Sequence, residues 1–244
     1  MPGLKSAIRG TIDLIFPPSC VHCREVVPSD GEFRHLCHKC AAQLDYVQAP
    51  HCSTCGHPFY GIVEGERMCP HCEGLAPAFR EGRTAILMKG PGRALVHELK
   101  YHAGLHVLRD IEQIFRRVPR VLELIVNATL VPVPLHPRKL RERGYNQSHL
   151  IAEHLAVAAG GTTRVRPLLR RVIDTDSQTH HDRRERQSNL KNAFAPARDA
   201  ALSADLHYVL VDDVFTTGST LNSCAQAMRR AGGINLDVVT FGHG

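Results

Sequence analysis

The apolar positions change their spacing along the chain, and each change marks a new kind of element. In LKSAIRGTIDLIF (4–16) they fall at 4, 8, 12, 15 and 16, the spacing of one helical face. From 17 to 75 cysteines organise the sequence instead. A linker, LAPAFREGR, follows, and beyond it strand-like and helix-like runs alternate. TAILM (84–88) reads as a strand. Leu95, Val96, Leu99, Leu108, Ile111, Ile114 and Phe115 recur at helical intervals over 92–117, with an interruption near Gly104. TLVPV (129–133) reads as a strand, and 146–158 as a helix through Leu150, Ile151 and Leu155. HYVLVDD (207–213) is a buried strand. Residues 219–231 form a helix with Leu221, Cys224, Ala225 and Met228 inward, which makes Cys224 a core residue rather than a reactive thiol. LDVVTF (236–241) is a last strand. Strands separated by helices predict an α/β domain with a mostly parallel, Rossmann-like sheet covered on both faces. Ligands of such sheets bind beyond the carboxyl ends of the strands.

The cysteines add a second architecture. Eight of the nine lie in C-x-x-C pairs: Cys20/Cys23, Cys37/Cys40, Cys52/Cys55 and Cys69/Cys72. The last two pairs stand 32 residues after the first two, so the set is a repeat. Two knuckles of two thiolates complete one tetrahedral S₄ site. The chain is therefore expected to hold two structural zinc ions in a duplicated ribbon. Sequential pairing is favoured because each repeat is complete; a cross-braced pairing, 20/23/52/55 with 37/40/69/72, uses the same residues. A disulfide framework needs an oxidising compartment, and MPGLKSAIRGTIDLIFPPSC has neither the apolar core nor the cleavage site of a signal peptide. His22, His38, His51, His57 and His71 surround the knuckles, but four cysteines already fill each site. The expected organisation is a helix and double ribbon over 1–76 and an α/β domain over 77–244.

Charge separates the same two parts. Residues 1–76 hold six Lys/Arg against eight Asp/Glu, a net of −2, and residues 77–244 hold 24 against 16, a net of +8. The acidic half lacks the basic face that a DNA-reading zinc finger presents to phosphate. No apolar run approaches the roughly 18 residues of a membrane span, and a cytoplasmic location is expected. A membrane-surface role for 4–16 would rest on Lys5 and Arg9 alone.

The segment richest in chemistry is VLVDDVFTTGST (209–220). A buried strand delivers Asp212 and Asp213, and a loop of Thr216, Thr217, Gly218, Ser219 and Thr220 leads into a helix. Four hydroxyls, free backbone N–H groups and a helix N-terminus converge there on one small anion, fitting a phosphate monoester. No lysine follows the glycine, so this is not a nucleoside-triphosphate loop. The adjacent acids fit vicinal hydroxyls, as on ribose, or a Mg²⁺ ion. The string resembles the phosphoribosyl pyrophosphate (PRPP) loop of type I phosphoribosyltransferases. HELKY (97–101), VPVPLHPRKLRERGYNQSHLIAEHL (131–155), TDSQTHHDRRERQSNLKNAF (175–194) and the double C-x-x-C ribbons extend the resemblance to the ComF/GntX-like family. That family joins a zinc ribbon to a phosphoribosyltransferase domain and is tied to uptake or use of external DNA.

The resemblance implies roles that the residues also fit. Asp212 and Asp213 would be the catalytic pair holding the ribose hydroxyls, and 216–220 the 5′-phosphate cradle. Arg138, Lys139 and Arg143, in a basic segment after a strand end, would bind pyrophosphate, whose growing charge needs cations. The long polar stretch 164–191, with Gln178, Arg183, Arg184 and Arg186, would be the flexible loop that closes over PRPP. The function implied is transfer of a phosphoribosyl group from Mg²⁺-bound PRPP to an acceptor. The alternative is a non-catalytic accessory factor that binds single-stranded DNA beside competence or DNA-processing proteins, with PRPP or a 5′-phosphate as a recognition ligand. The absence of Trp and an aromatic content of 5% weaken that alternative, since Tyr101 and Tyr145 are left as candidate base-stacking platforms.

Overall fold

The computed structural model describes residues 17–61, 67–161, 163–173 and 193–244. The expected amino-terminal helix and the loop residues Gln178, Arg183, Arg184 and Arg186 lie outside them. The described helices are α1 (His38–Ala41), α2 (Gly90–Tyr101), α3 (Leu108–Arg116), α4 (Pro119–Leu124), α5 (Pro137–Arg143), α6 (Gln147–Ala158) and α7 (Ser219–Arg230). The strands are β1 (Gly82–Leu87), β2 (Thr129–Pro132), β3 (Arg164–Val165), β4 (Leu169–Arg171), β5 (Phe194–Pro196), β6 (Tyr208–Phe215) and β7 (Leu236–His243).

Five strands form one sheet in the order β1-β7-β6-β2-β3, all parallel. Alternation along β6 sorts the core into two layers. Val209 and Val211 meet Leu95, Leu99, Ile111, Phe115, Ile151 and Leu155, so α2, α3 and α6 cover one face. Leu210 meets Leu221, Cys224 and Met228 of α7 on the other. Cys224 is fully buried there, and burial pushes its thiol well above the usual range.

The interruption expected near Gly104 is found: the helical run 92–117 divides there into α2 and α3. Two elements depart from the periodicity. The strand expected to end at Asp213 continues to Phe215, because β7 pairs with it as far as Phe215–His243. The polar stretch from 164 contains β3 and β4, and β4 pairs antiparallel with β5. Strands of two or three residues are too short to leave a readable period.

The ribbons are built as a repeat. In the first, Arg24 N donates to Cys20 O at 2.9 Å, and Arg24 takes a left-handed φ of 68°. In the second, Gly56 N donates to Cys52 O at 2.9 Å with φ 76°. Both tight turns need the left-handed region, which glycine enters without steric cost. The second half of each ribbon is a helical turn, α1 carrying Cys40 and Pro70–Cys72 carrying Cys72.

The two ribbons clasp the edge of the sheet. Cys20, Phe33, Leu36 and Cys37 belong to the core layer of α2 and α3, whereas Cys52, Cys55, Cys69, Cys72 and Leu75 belong to that of α7. The connection between them lies along β1: Leu87 N donates to Asp45 O at 2.9 Å and Val47 N to Ala85 O at 3.0 Å, with an antiparallel bridge between Tyr46 and Ile86. Gly82 N donates to Ser53 O at 2.7 Å, and a Cβ on Gly82 would stand 2.2 Å from Thr54 O, so only glycine allows this approach. An edge that would otherwise present unpaired backbone groups is thereby closed.

Candidate functional site

Two parallel neighbours, β2 and β6, run toward the same end of the sheet; β2 stops at Pro132, opposite Val211, and β6 continues to Phe215. The loops that follow them both open at the carboxyl end of the sheet. From β6, Thr216 and Thr217 lead to Gly218, whose φ of 70° turns the chain into α7. A Cβ on Gly218 would lie 2.5 Å from the Phe215 ring and 2.9 Å from Leu75. Thr217 Oγ1 and Ser219 Oγ are hydrogen-bonded at 2.9 Å. Gly218 at the N-cap offers no side chain, Thr217 Oγ1 accepts from Ser219 N at 3.4 Å, and the first-turn N–H groups of α7 face the loop without an intrahelical acceptor.

The linker from the second ribbon forms one wall of this loop. Asn222 Oδ1 accepts from Ala78 N at 2.7 Å, and its Nδ2 donates to Leu75 O at 3.0 Å and Ala76 O at 3.3 Å. Asn222 also donates its backbone N–H to Gly218 O at 2.8 Å. The same residue thus fixes both the loop and the segment that leaves Cys72.

Asp212 and Asp213 sit a few residues before the loop with different surroundings. Asp213 is buried, with Lys100 Nζ of α2 2.9 Å from its Oδ1. Its Oδ2 is sealed from solvent and makes no hydrogen bond among the described residues. Asp212 is half-buried and accepts from Ser148 Oγ at 2.7 Å and from Asp213 N at 2.9 Å. Burial, and then the charge of Asp213, push the Asp212 carboxyl up to about 7.

The basic segment is α5, none of whose residues is buried. Arg138, Lys139 and Arg143 thus project from the loop after β2. His136 Nδ1 accepts from Arg138 N at 3.3 Å, Arg138 Nε lies 3.8 Å from Glu142 Oε1, and Arg143 donates to Gln147. Gly144 closes α5 with φ 82°, and Asn146 Nδ2 donates to Val133 O at 2.9 Å before its Oδ1 caps α6 at Ser148 N. The return of this loop is therefore tied to the end of β2. Tyr145 donates its hydroxyl to Leu99 O, which draws the carboxyl end of α2 over the same place.

Lys100, Ser148 and Asn222 are the residues that the sequence pattern does not single out. Each lies in a helix with an ordinary composition, and its role arises only where that helix meets β6 or the linker. The string HELKY was the one available signal for Lys100.

A cavity of about 1150 Å³ opens elsewhere, lined by Arg80, Arg83, Arg117, Arg120 and Tyr46 near the amino end of β7. Its arginines are largely committed: Arg80 pairs with buried Asp237 at 2.6 Å, Arg83 with Glu81 at 2.5 Å, and Arg117 with Glu32. The convergent polar groups are at the other end of the sheet.

The cysteines gather into two groups, Cys20/Cys23/Cys37/Cys40 and Cys52/Cys55/Cys69/Cys72, with the sulfurs of each group within 4.8 Å of one another. This is the sequential pairing. A tetrahedral ion with Zn–S bonds of about 2.3 Å requires sulfurs about 3.8 Å apart. Cys55–Cys69, Cys69–Cys72 and Cys52–Cys72 stand at 3.5, 3.8 and 4.0 Å, and Cys23–Cys37 at 3.6 Å. The thiolates fit two structural zinc ions. Among the described residues no histidine joins either group.

Among the described residues no helix is long and apolar enough to cross a membrane. The double zinc ribbon domain family matches residues 11–73. Competence protein F of Haemophilus influenzae is 27% identical over 219 residues, covering 87% of this chain and 91% of that protein. DNA utilization protein YhgH of Salmonella typhimurium is 30% identical over 229 residues, covering 92% of this chain and 96% of that protein. Competence protein ComFC of Bacillus subtilis is 21% identical over 228 residues, covering 87% and 89%. The likeness therefore runs through ribbons and sheet together.

Proposed function

The chain belongs to the ComF family of competence and DNA-utilization proteins, and from that premise we propose that its α/β domain binds PRPP and transfers the phosphoribosyl group. The observation that carries this reading is the Thr216–Thr220 loop at the start of α7 beside the paired Asp212 and Asp213. Thr216, Thr217, Ser219 and Thr220 and the first-turn N–H groups hold the 5′-phosphate. Asp212, the half-buried acid, and Asp213 beside it accept from the ribose hydroxyls.

An acceptor nucleophile forms a bond to C1 as the C1–oxygen bond to pyrophosphate breaks, and both electrons leave with the pyrophosphate. Arg138, Lys139 and Arg143 stabilise the charge that grows on this leaving group. Lys100 already occupies the outer side of Asp213, so the acids fit sugar hydroxyls better than a resident metal. Mg²⁺, when present, supplies charge neutralisation on the pyrophosphate. The flexible-loop role that the family resemblance gives to Gln178, Arg183, Arg184 and Arg186 falls outside the described residues. The role in competence or DNA utilization carried by the relatives' names extends to this chain on the same reading.

Isothermal titration with Mg-PRPP tests it. The parent protein binds in a Mg²⁺-dependent manner, and Asp212→Asn/Asp213→Asn abolishes binding. A folded double variant that binds as tightly as the parent would show that the site lies elsewhere. A second reading draws on the basic face of α5, which has no buried residue: single-stranded DNA as partner, with a 5′-phosphate as the recognised group. Titration of the same preparation with single-stranded DNA separates the two.

A further inference from the structure

The turn at Gly218 is backed by a residue that comes from the second ribbon. Leu75 follows Cys72 by three residues, and its N–H donates to Cys72 O at 3.0 Å. Its side chain is 4% exposed and stands where a Cβ on Gly218 would meet it at 2.9 Å. Its carbonyl accepts from Asn222 Nδ2 of α7 at 3.0 Å. Ala78 N, donating to Asn222 Oδ1 at 2.7 Å, holds the far end of the linker on the same helix. One residue thus joins the last cysteine of the second Cys₄ group to the turn that opens α7.

The other knuckle of the same ribbon is fixed to the sheet. Thr84 of β1 donates its hydroxyl to Cys55 O at 2.9 Å and is hydrogen-bonded to Thr240 Oγ1 of β7 at 2.7 Å. Gly56 approaches β1 so closely that a Cβ there would stand 2.6 Å from Thr84 N. An ion held by all four sulfurs would tie this anchored knuckle, Cys52/Cys55, to the knuckle that leads to Leu75, Cys69/Cys72. The first ribbon is anchored elsewhere. Its cysteines belong to the core layer of α2 and α3, and Asp110 of α3 accepts from Arg34 N at 2.9 Å and from His35 N at 2.8 Å.

Resting on the phosphoribosyl reading, we propose that Leu75 is a positioning residue of the 216–220 loop, and that through it the second zinc site and the 5′-phosphate site are linked. Each binds its own ligand more tightly when the other is filled, and the first zinc site stands outside the linkage. Coupling between two sites acts equally in both directions. With the second Cys₄ group closed on its ion, Leu75 packs on the Gly218 turn and the Asn222 amide keeps its linker partners, so the loop is set before the phosphate arrives. With the ion removed, Cys69/Cys72 lose their tie to the anchored knuckle, and Leu75 loses its fixed place with them. This gives the acidic ribbon a role that needs no basic face.

Zinc affinity, measured on the full zinc-loaded chain by competition with a chromogenic chelator, tests the linkage without requiring turnover. Ribose 5-phosphate, the part of PRPP that the loop and the acids would hold, is the second ligand, and calorimetry reports its binding directly. At saturation it is expected to raise the affinity of one of the two ions about tenfold, an ordinary size for coupling between sites, and to leave the other ion as it was. The unaffected ion also controls for any capture of free zinc by the sugar phosphate. Cys23→Ser, at the exposed cysteine of the first group, should retain one ion per chain, and that ion should be the responsive one. Leu75→Ala should hold both ions and lose the response, whereas Leu75→Met, which conserves volume, should keep it. The parent and Cys23→Ser decide the linkage even where Leu75→Ala does not fold. If ribose 5-phosphate binds but neither ion responds, or both respond alike, or a folded Leu75→Ala responds as the parent does, the linkage is overturned and the phosphoribosyl reading stands. If ribose 5-phosphate does not bind, the phosphoribosyl reading fails and the linkage with it.

Discussion

A carboxyl group deprived of water either finds a cation or keeps its proton. Asp213 has Lys100 at 2.9 Å. Asp212 has the Ser148 hydroxyl, and its carboxyl is pushed up to about 7 by burial and by its neighbour's charge. Between pH 3.8 and about 7 the folded chain then holds a proton that the unfolded chain releases. The contribution of Asp212 to stability is fully present below 3.8 and lost as pH rises toward 7. Asp212→Asn is therefore expected to raise the unfolding midpoint relative to the parent, by a margin that widens from about pH 4 to 7 and is level above. Thermal unfolding across that range checks it, and a constant margin would contradict it. At Gly218 the argument is steric. A side chain there meets both a left-handed φ of 70° and the Phe215 ring. Gly218→Ala is expected to cost about 2 kcal/mol through the left-handed backbone and overpacking, and to abolish ribose 5-phosphate binding. Denaturant unfolding and calorimetry measure the two effects. The Thr-Thr-Gly-Ser-Thr string marks the candidate loop in the sequence because a strand–loop–helix turn is local. Lys100 and Ser148 lie in strings that carry the resemblance, but their contacts with the acids were not legible, since a lysine and a serine on helices acquire meaning only when the fold brings them to β6.

Elements divide in the same way. β6, β7, α6 and α7 are long enough to carry a period, and their expected positions lie within two residues of those observed. The extra residues at the strand ends come from pairing between β6 and β7. β3, β4 and β5 were hidden by their length. The contact between α7 and the 75–78 linker was hidden because Asn222 on a helix reads as an ordinary polar residue. Its amide makes three hydrogen bonds to linker backbone. Asn222→Ala leaves those buried groups without partners, at a cost of roughly 1–3 kcal/mol. The expected outcome is lower stability together with weaker ribose 5-phosphate binding, because the linker held by the Asn222 amide brings Leu75 against the Gly218 turn. Asn222→Asp should not rescue it, since a carboxylate cannot donate to Leu75 O and Ala76 O. Recovery in that variant would mean that the donated bonds are dispensable.

At the scale of the molecule, ribbons and sheet share both core layers. Metal analysis is expected to return close to two zinc ions per chain. Removing them with a chelator should lower the stability of the whole chain, as thiolates released from zinc no longer hold the folded knuckles. Unfolding of a ribbon alone, with the sheet's midpoint unchanged, would contradict this. The charge split also has a consequence at this scale. If single-stranded DNA binds, it binds the basic half. Neutralising Arg183, Arg184 and Arg186 should reduce the log–log salt slope by about one unit for each phosphate that goes unneutralised. An unchanged slope would place the DNA on other cations.

The segment 45–47 that closes the edge of β1 precedes that strand in the sequence. A ribosome releases the chain from its amino end, so the cover is made before the strand it covers. When Gly82–Leu87 emerges, its outer edge meets a partner already present and not one from another nascent chain. A gene fragment starting at the α/β half would lose that protection. Its translation product is expected to collect in the insoluble fraction, where a full-length chain does not, because an unpaired edge strand recruits its like.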